Sequence, residues 1–203
     1  MATAQIVGIT MIDFALEKFP VRKPLDSGVQ CLIRPLVLED QAAFQKFHLA
    51  VPETDRFLIK HRYTDSTVFH EWTHELDYEA TLPLLAFADG QIVGHATLHQ
   101  RPGGWKRHIG MVGVLTHPEY RGVNLAKLLI DELIEVAQHC GLTKLEAEFN
   151  GDRETAIYKF KECGFTELAR IPDYLQDMHA QEYDWVLMGL KLTTDAENAG
   201  AGD

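Results

Sequence analysis

The segment from residue 113 to residue 137, GVLTHPEYRGVNLAKLLIDELIEVA, constrains the fold more than any other part of the chain. An apolar strand runs up to Pro118, a short loop follows, and the chain then enters an amphipathic helix predicted over 125–141. The helix carries an apolar stripe at helical spacing, and Gly141 supplies its stop. A glycine-bearing loop before a helix exposes backbone N–H groups, and the helix dipole favours an anion such as a pyrophosphate there. The alternative is a plain strand–helix turn that exposes Arg121.

The rest of the chain also mixes strands and helices. Asp89 and Gly90 form a strong turn signal, because this dipeptide favours the two-residue turn of a β-hairpin. Apolar runs predict strands over 29–36, 82–88, 91–99, 107–116, 144–149, 165–171 and 185–192. Helical spacing predicts further helices over 10–18, 38–50, 66–80 and 154–163. This mixture around one central sheet indicates the α/β or α+β class.

The chain is acidic, with a net charge of −11 over 203 residues. That length fits a single domain that buries most of its apolar surface. The acidic balance argues against nucleic acid as a partner, since a protein that binds the phosphate backbone carries a basic face. It favours cationic partners instead. No segment predicts a bilayer span and the N-terminus lacks the basic start of a signal peptide. We therefore expect no membrane association and a cytoplasmic location.

Residues 70–74 match the zinc-protease signature H-E-x-x-H, in which two histidines bind the metal and Glu71 would serve as general base. On a helix over 66–80, His70 and His74 fall opposite the apolar sector formed by Val68, Phe69, Trp72 and Leu76. Zinc ligands must instead point into a cleft with supporting hydrogen bonds. The extended signature also needs a glycine where this chain has Asp77. We predict a solvated helix face and no metal, with a zinc site as the alternative.

The loop sequence HPEYRGVNLAKLL resembles the acetyl-CoA loop of the GNAT superfamily of N-acetyltransferases, whose pattern is Arg/Gln-x-x-Gly-x-Gly/Ala. Arg121 matches the first position and Ala126 the last, whereas Asn124 replaces the central glycine. Asparagine tolerates a positive φ better than most residues with a side chain, so we expect the loop conformation to survive. Three further segments resemble family motifs in the family's order: LIRPLVLEDQAAF, LEAEFNGDRETAIYKFKECGF and YDWVLMGLKL.

The resemblance covers residues 29–192 and implies the fold of that family. We expect an α/β (α+β) fold with a mixed, largely antiparallel sheet of about six to seven strands and helices on both faces. Residues 1–28 are then an N-terminal extension and 29–192 the acetyltransferase domain. The small, polar segment 193–203 is expected to be a disordered tail.

The resemblance also implies acetyl-CoA as co-substrate. In the family, the strand before the loop splays from its neighbour and offers backbone groups to the pantetheine arm, which Val114, Leu115 and Thr116 would line. The pyrophosphate would lie against Arg121, Gly122, Val123, Asn124, Leu125, Ala126 and Lys127. Arg153 stands where the family usually has an asparagine that contacts CoA. Phe160 stands where many members have a tyrosine that protonates the leaving thiolate.

The position of the family's general base differs as well. RHIGMVGV resembles a strand that often carries a glutamate as base, but Met111 occupies that position. His108 lies on the same predicted strand, and an imidazole exchanges protons near neutral pH. Glu146 and Glu148 lie on the next strand beside the expected splay, and their alternation puts both on one face. His108 and Glu148 are the candidate catalytic residues.

The function implied by the resemblance is transfer of an acetyl group from acetyl-CoA to a primary amine, by direct attack in a ternary complex. No cysteine falls in the expected acetyl channel, which argues against an acyl-enzyme. The acceptor would be a small-molecule or protein amine, and a homodimer is plausible because dimers are common in the family. An acyl-CoA-binding or sensing module with lost or weak catalysis is the second hypothesis, motivated by Met111 and Phe160.

Overall fold

A computed structural model describes residues 11–52, 55, 66–101, 103–177 and 179–193 of the chain. The first ten residues and most of the tail predicted over 193–203 lie outside this part. The helices are α1 Met11–Lys18, α2 Gln41–Ala50, α3 Ser66–His74, α4 Leu125–His139 and α5 Glu154–Glu162. The strands are β1 Val21–Pro24, β2 Gln30–Pro35, β3 Thr81–Ala88, β4 Gln91–Gln100, β5 Ile109–Thr116, β6 Lys144–Asn150, β7 Thr166–Gln176 and β8 Glu182–Lys191.

The eight strands form one sheet in the order β1-β2-β3-β4-β5-β6-β8-β7. All neighbouring strands are antiparallel except β5 and β6, which are parallel. The β3–β4 hairpin turns at Asp89 and Gly90, with φ of 51° and 75°. Both central residues of this turn need a positive φ, which explains the Asp-Gly dipeptide. The predicted mixed, largely antiparallel sheet is confirmed.

Helices cover both faces of the sheet, as predicted. The larger core lies on the face that α4 and α5 cover, and it includes Leu129, Leu133 and Met188. The smaller core lies on the opposite face, where Phe44 of α2 and Phe69 of α3 pack against the sheet. Because side chains alternate along a strand, β3, β4 and β5 contribute to both cores.

The sheet has more strands than predicted, and one predicted helix ends earlier than expected. The sheet has eight strands rather than six or seven, because β1 pairs with β2 inside the segment predicted as an extension. β1 is a short edge strand that ends at Pro24 and exposes alternate residues, so its sequence lacks an apolar run. The helix predicted over 66–80 ends at His74, since Asp77 forms a turn in which its carboxylate accepts a hydrogen bond from the Glu79 N–H.

A buried ion network joins α1 and β1 to α4. The Glu132 side chain on α4 is only 1% exposed, and its two oxygens lie 2.7 Å from Lys18 Nζ and 2.9 Å from Lys23 Nζ. Lys18 also contacts Glu135 at 2.5 Å. A buried carboxylate needs compensating cations, so this network anchors the segment before residue 29 to the longest helix.

Candidate active site

The sheet opens between β5 and β6. Their pairing covers only Ile109–Met111 against Lys144–Glu146 within the described strands. Beyond these residues, β5 stays paired with β4 as far as Thr116, and β6 stays paired with β8 as far as Asn150. The two halves of the sheet therefore diverge after Met111, and the backbone of residues 112–116 borders the opening. Polar groups on such a strand edge are available to an extended ligand.

The predicted pantetheine residues lie along this opening. The side chains of Val114 and Leu115 pack against the larger and the smaller core respectively, and Thr116 is half-buried at the end of the strand. Core packing is thus the role of the two apolar side chains. A ligand in the opening would instead contact the backbone of β5, which lies between the two cores.

The loop from β5 to α4 contains two residues with a positive φ. Gly122 has φ of 76°. Asn124, the N-cap of α4, has φ of 69° and ψ of 11°, in the left-handed region. The expectation that asparagine preserves the loop conformation is confirmed. The Asn124 side chain makes no capping hydrogen bond, so the backbone N–H groups at the start of α4 stay directed at the loop.

Two neighbouring segments brace this loop. The Asp26 N–H, in the turn between β1 and β2, donates to the Val123 carbonyl at 3.2 Å. The Tyr120 hydroxyl donates to the Asp89 carboxylate at 2.9 Å. The half-buried His117 side chain caps the short 3₁₀ turn Pro118–Tyr120, where its Nδ1 accepts a hydrogen bond from the Glu119 N–H at 3.4 Å. The loop is therefore held from both sides before any ligand arrives.

Two predicted cofactor residues, Arg121 in the loop and Arg153 at the N-cap of α5, converge on one carboxylate. Each guanidinium donates to a different oxygen of Asp55. Burial raises the pKa of Asp55, but the hydrogen bonds and charges of Arg153 and Arg121 outweigh it, and the pKa is lowered. The sequence reasoning missed Asp55, because residues 51–65 carry no motif or periodicity that marks it. Lys127 forms a separate pair with Asp131 on α4, at 2.6 Å.

Two carboxylates lie beside the start of the opening. Glu146 is in register with Met111, and its carboxylate lies 3.3 Å from Lys106 Nζ. Glu148 follows two residues later, where β5 has already diverged, and its side chain is exposed. Leu145 and Ala147 face the larger core, so Glu146 and Glu148 share the opposite face, as predicted.

The structure does not bring His108 to these residues. His108 precedes β5, and its carbonyl accepts hydrogen bonds from the Thr143 and Lys144 N–H groups at the closed end of the β5–β6 pair. Met111 lies three positions further along the chain, which corresponds to roughly 10 Å along a strand. Of the two candidate bases, Glu148 is therefore the one that borders the opening.

The sequence between residues 46 and 165 matches the family model of the acetyltransferase (GNAT) family, which is more than half of the chain. The chain belongs to the GNAT acetyltransferase family. The predicted enzyme class, acyltransferase, is that of this family.

Individual relatives agree with this assignment. The L-amino acid N-acyltransferase MnaT of Escherichia coli K12 is 26% identical over 94 residues, which span 44% of this chain and 52% of that relative. The match thus spans about half the length of this curated relative. The yncA acetyltransferase of Salmonella typhimurium, in a structure that contains its cofactor acetyl-CoA, has a TM-score of 0.71 at 23% identity. That likeness covers 85% of this chain and 98% of the yncA chain.

The ribosomal-protein-alanine N-acetyltransferase of Brucella melitensis has a TM-score of 0.69 at 23% identity, over 79% of this chain and 99% of its own. At these identities, the likeness to solved structures establishes the shared GNAT fold.

Phe160, which we expect at the family's tyrosine position, lies inside the larger core. Its ring is 4% exposed and packs edge-to-face against Phe149 at 4.9 Å and Phe165 at 5.0 Å between centroids. Tyr158, the nearest phenol along α5, is 61% exposed. The two side chains point in different directions, as the helical spacing predicts. Tyr158 therefore does not take the place of the missing tyrosine.

The zinc-signature histidines of this GNAT member lie on an exposed helix face. The rings of His70 and His74 stack at 3.6 Å between centroids, and His74 Nδ1 lies 3.1 Å from the His70 carbonyl oxygen. Phe69, on the other side of α3, is fully buried. The predicted solvated face is confirmed. Among the described residues, no group of three or more His, Cys, Asp or Glu side chains is arranged to bind a metal ion.

A buried aromatic cluster contains two further histidines of the smaller core. His95 on β4 packs against Phe44 at 4.8 Å and His48 at 5.2 Å between ring centroids. Burial, followed by the nearby His48 and His99, lowers the pKa of His95 well below its ordinary value. His95 is thus a neutral core residue.

In the described part of the chain, no helix combines the length and apolar character needed to cross a membrane.

Proposed function

We propose that the protein transfers an acetyl group from acetyl-CoA to a primary amine by direct attack in a ternary complex. The observation that carries the proposal is the opening between β5 and β6, which leads directly to the left-handed loop at the start of α4. The groups around this path suit acetyl-CoA: a strand edge for an extended arm, helix N–H groups for a pyrophosphate, and two arginines for phosphate charge.

When bound, acetyl-CoA supplies the acetyl group as a thioester, whose carbonyl carbon the amine attacks and whose C–S bond then breaks. The chain's own contribution begins with orientation. The loop from Arg121 to Lys127 would bind the diphosphate, and the β5 backbone would fix the thioester at the start of the opening. Backbone N–H groups of residues 112–116 that face the opening would stabilise negative charge on the carbonyl oxygen.

The acceptor must lose a proton, and we assign Glu148 to receive it. An amine with an ordinary pKa of about 10.4 is mostly protonated at pH 7, which opposes attack by roughly 4–5 kcal/mol. A carboxylate on the exposed edge of the opening can take the proton directly or through one water. Glu146 lies on the same face but already contacts Lys106, so Glu148 is the better candidate.

The leaving thiolate demands less from the protein. A thiol has an ordinary pKa of about 8.5, so the thiolate can depart without a dedicated acid. Phe160 in place of the family tyrosine is compatible with turnover for this reason. Cysteine nucleophiles are disfavoured, because burial raises the pKa of Cys31 to about 11 and of Cys140 to about 12. Burial also raises the pKa of Cys163, at the end of α5.

An amine panel with acetyl-CoA tests this function. The panel should include free L-amino acids and a peptide with an N-terminal alanine, because relatives are named for these acceptors. Thiol release and a matching mass increase of the acceptor are the expected results. Glu148→Gln should lower kcat by about 10²–10⁴-fold while the Kd for acetyl-CoA stays constant. Glu182→Gln, which removes an exposed carboxylate at the start of β8, is the control and should retain wild-type kcat.

The second candidate is an acyl-CoA-binding or sensing module with lost or weak catalysis. Two observations favour it: Met111 occupies the usual base position and Phe160 is a core residue without a hydroxyl. This function predicts acetyl-CoA binding with no turnover of any panel amine. It also predicts that Glu148→Gln changes neither binding nor the background rate of thiol release.

A further inference from the structure

Asp55 occupies the point where the two arginines of the candidate site meet. Arg121 belongs to the loop before α4 and Arg153 to the start of α5, and each donates an N–H to a separate carboxylate oxygen. The Asp55 side chain is 13% exposed, compared with 46% for Arg121 and 33% for Arg153. The carboxylate is thus the sheltered centre of the cluster and the guanidinium groups reach it from the surface.

This arrangement is the one that an oxoanion ligand would need. Two guanidinium groups converge on neighbouring oxygens of one anion, which is the recognition that arginine provides for phosphate as well as for carboxylate. The cluster has two positive charges and one negative charge. It is therefore locally cationic on a chain whose net charge is −11.

We propose that Arg121 and Arg153 form one phosphate-binding site, and that Asp55 occupies this site as an internal competitor that a phosphate group of acetyl-CoA must displace. The proposal rests on acetyl-CoA being the ligand of the proposed function. It differs from that function in assigning a role to Asp55, a residue that lies outside the loop and the two β-strands that border the opening.

The competition follows from the charge state of Asp55. The arginines lower its pKa despite its burial, so the carboxylate stays ionised at neutral pH and competes with the ligand over the working range. When an internal group occupies a site, the apparent affinity of a ligand for that site is reduced. The apparent affinity is the intrinsic affinity multiplied by the fraction of molecules in which the site is vacant. Replacing the carboxylate with a neutral amide raises that fraction. Asp55→Asn should therefore bind acetyl-CoA more tightly, on the order of tenfold.

The experiment is a calorimetric titration of wild type and Asp55→Asn with acetyl-CoA and, separately, with S-acetyl-pantetheine, which lacks the phosphates. We expect tighter binding of acetyl-CoA by the variant and equal binding of S-acetyl-pantetheine. Glu119→Gln is the matched control, because this 77% exposed carboxylate lies next to the loop without contacting either arginine. It should change the Kd for acetyl-CoA by less than about twofold, as expected for an exposed charge.

Equal or weaker binding of acetyl-CoA by Asp55→Asn would overturn the proposal, because Asp55 would then orient the arginines rather than compete with the ligand. An equal gain with S-acetyl-pantetheine or with Glu119→Gln would overturn it too. If Asp55→Asn fails to fold by circular dichroism, Asp55→Ser is titrated in its place with the same expectations.

Failure of the proposed function can be distinguished from failure of the proposal about Asp55. If wild type does not bind acetyl-CoA, inorganic pyrophosphate is titrated into wild type and Asp55→Asn. Tighter pyrophosphate binding by the variant would retain the two-arginine site with Asp55 as its competitor, whereas equal binding would overturn it. If acetyl transfer is absent but Asp55→Asn still binds acetyl-CoA about tenfold more tightly, the two-arginine site is retained and the proposed transferase activity is wrong.

Discussion

The buried carboxylate of Glu132 provides the sharpest stability test of the fold, through Glu132→Gln. The glutamine keeps the size of the side chain but removes the charge that compensates Lys18 and Lys23. Breaking a fully buried ion pair on one side costs about 3–5 kcal/mol. Two features reduce this value: the Lys23 side chain is 44% exposed and Lys18 keeps its contact with Glu135. We therefore expect a loss of about 2–3 kcal/mol in the free energy of unfolding.

Urea unfolding followed by circular dichroism measures this loss. The control is Glu162→Gln, which breaks an exposed pair with Lys159 on α5 and should not shift the midpoint measurably. The double variant Lys18→Met/Glu132→Gln should recover part of the loss, because it also removes the Lys18 ammonium group, which is only partly compensated once the Glu132 charge is gone. A Glu132→Gln protein whose stability equals that of wild type, within error, would refute the account of how the N-terminal segment is anchored.

Three further predictions concern the loop, the sheet and pH. Asn124→Gly should keep wild-type stability, whereas Asn124→Val should lose about 1–2 kcal/mol in thermal unfolding, because only glycine accepts the φ of 69° more readily than asparagine. Equal melting temperatures of the two variants would contradict the left-handed conformation of Asn124. Gly110→Ala should cost about 1–3 kcal/mol in urea unfolding, since its Cβ would lie 2.7 Å from Leu98 Cδ1. An unchanged urea midpoint would contradict tight packing around Gly110. The hydrogen bond and charge of Glu132 raise the pKa of Lys23 above its ordinary value of 10.5, so the Lys23 contribution to stability is complete below that pH and decreases as pH rises through the raised value. Wild type should therefore lose more stability than Lys23→Met across that alkaline range, and parallel pH profiles would argue against the pair.

The sequence predicted the parts of the fold that have strong local patterns. The helix from Leu125 and the β3–β4 hairpin at Asp89 and Gly90 follow from periodicity and turn chemistry, which depend on neighbouring residues alone. β1 was missed because four residues at a sheet edge carry too little apolar pattern. The end of α3 at His74 was misplaced because a turn at Asp77 competes with continuation of the helix.

In the candidate site too, features with a local sequence pattern were predictable, and features that depend on long-range contacts were not. The loop and its left-handed residue Asn124 follow from a motif whose geometry is local. Asp55 joins Arg121 and Arg153 across separations of 66 and 98 residues, so no local pattern marks the three side chains as one cluster. His108 and Glu148 were equally plausible bases on adjacent strands, and only the point where β5 and β6 diverge separates them. The relative positions of segments that are distant in the chain therefore separate alternatives that local sequence patterns could not.

Hydrogen exchange of the backbone amides, measured with and without acetyl-CoA, tests the central claim most directly. We predict slower exchange at two places when acetyl-CoA binds: the loop and first turn of α4 over residues 121–127, and the β5 edge over residues 112–116. The β1–β2 hairpin, away from the opening between β5 and β6, should show little change apart from its contact at Val123. Unchanged exchange at both places, or protection confined to another surface, would contradict the assignment of this opening as the acetyl-CoA site.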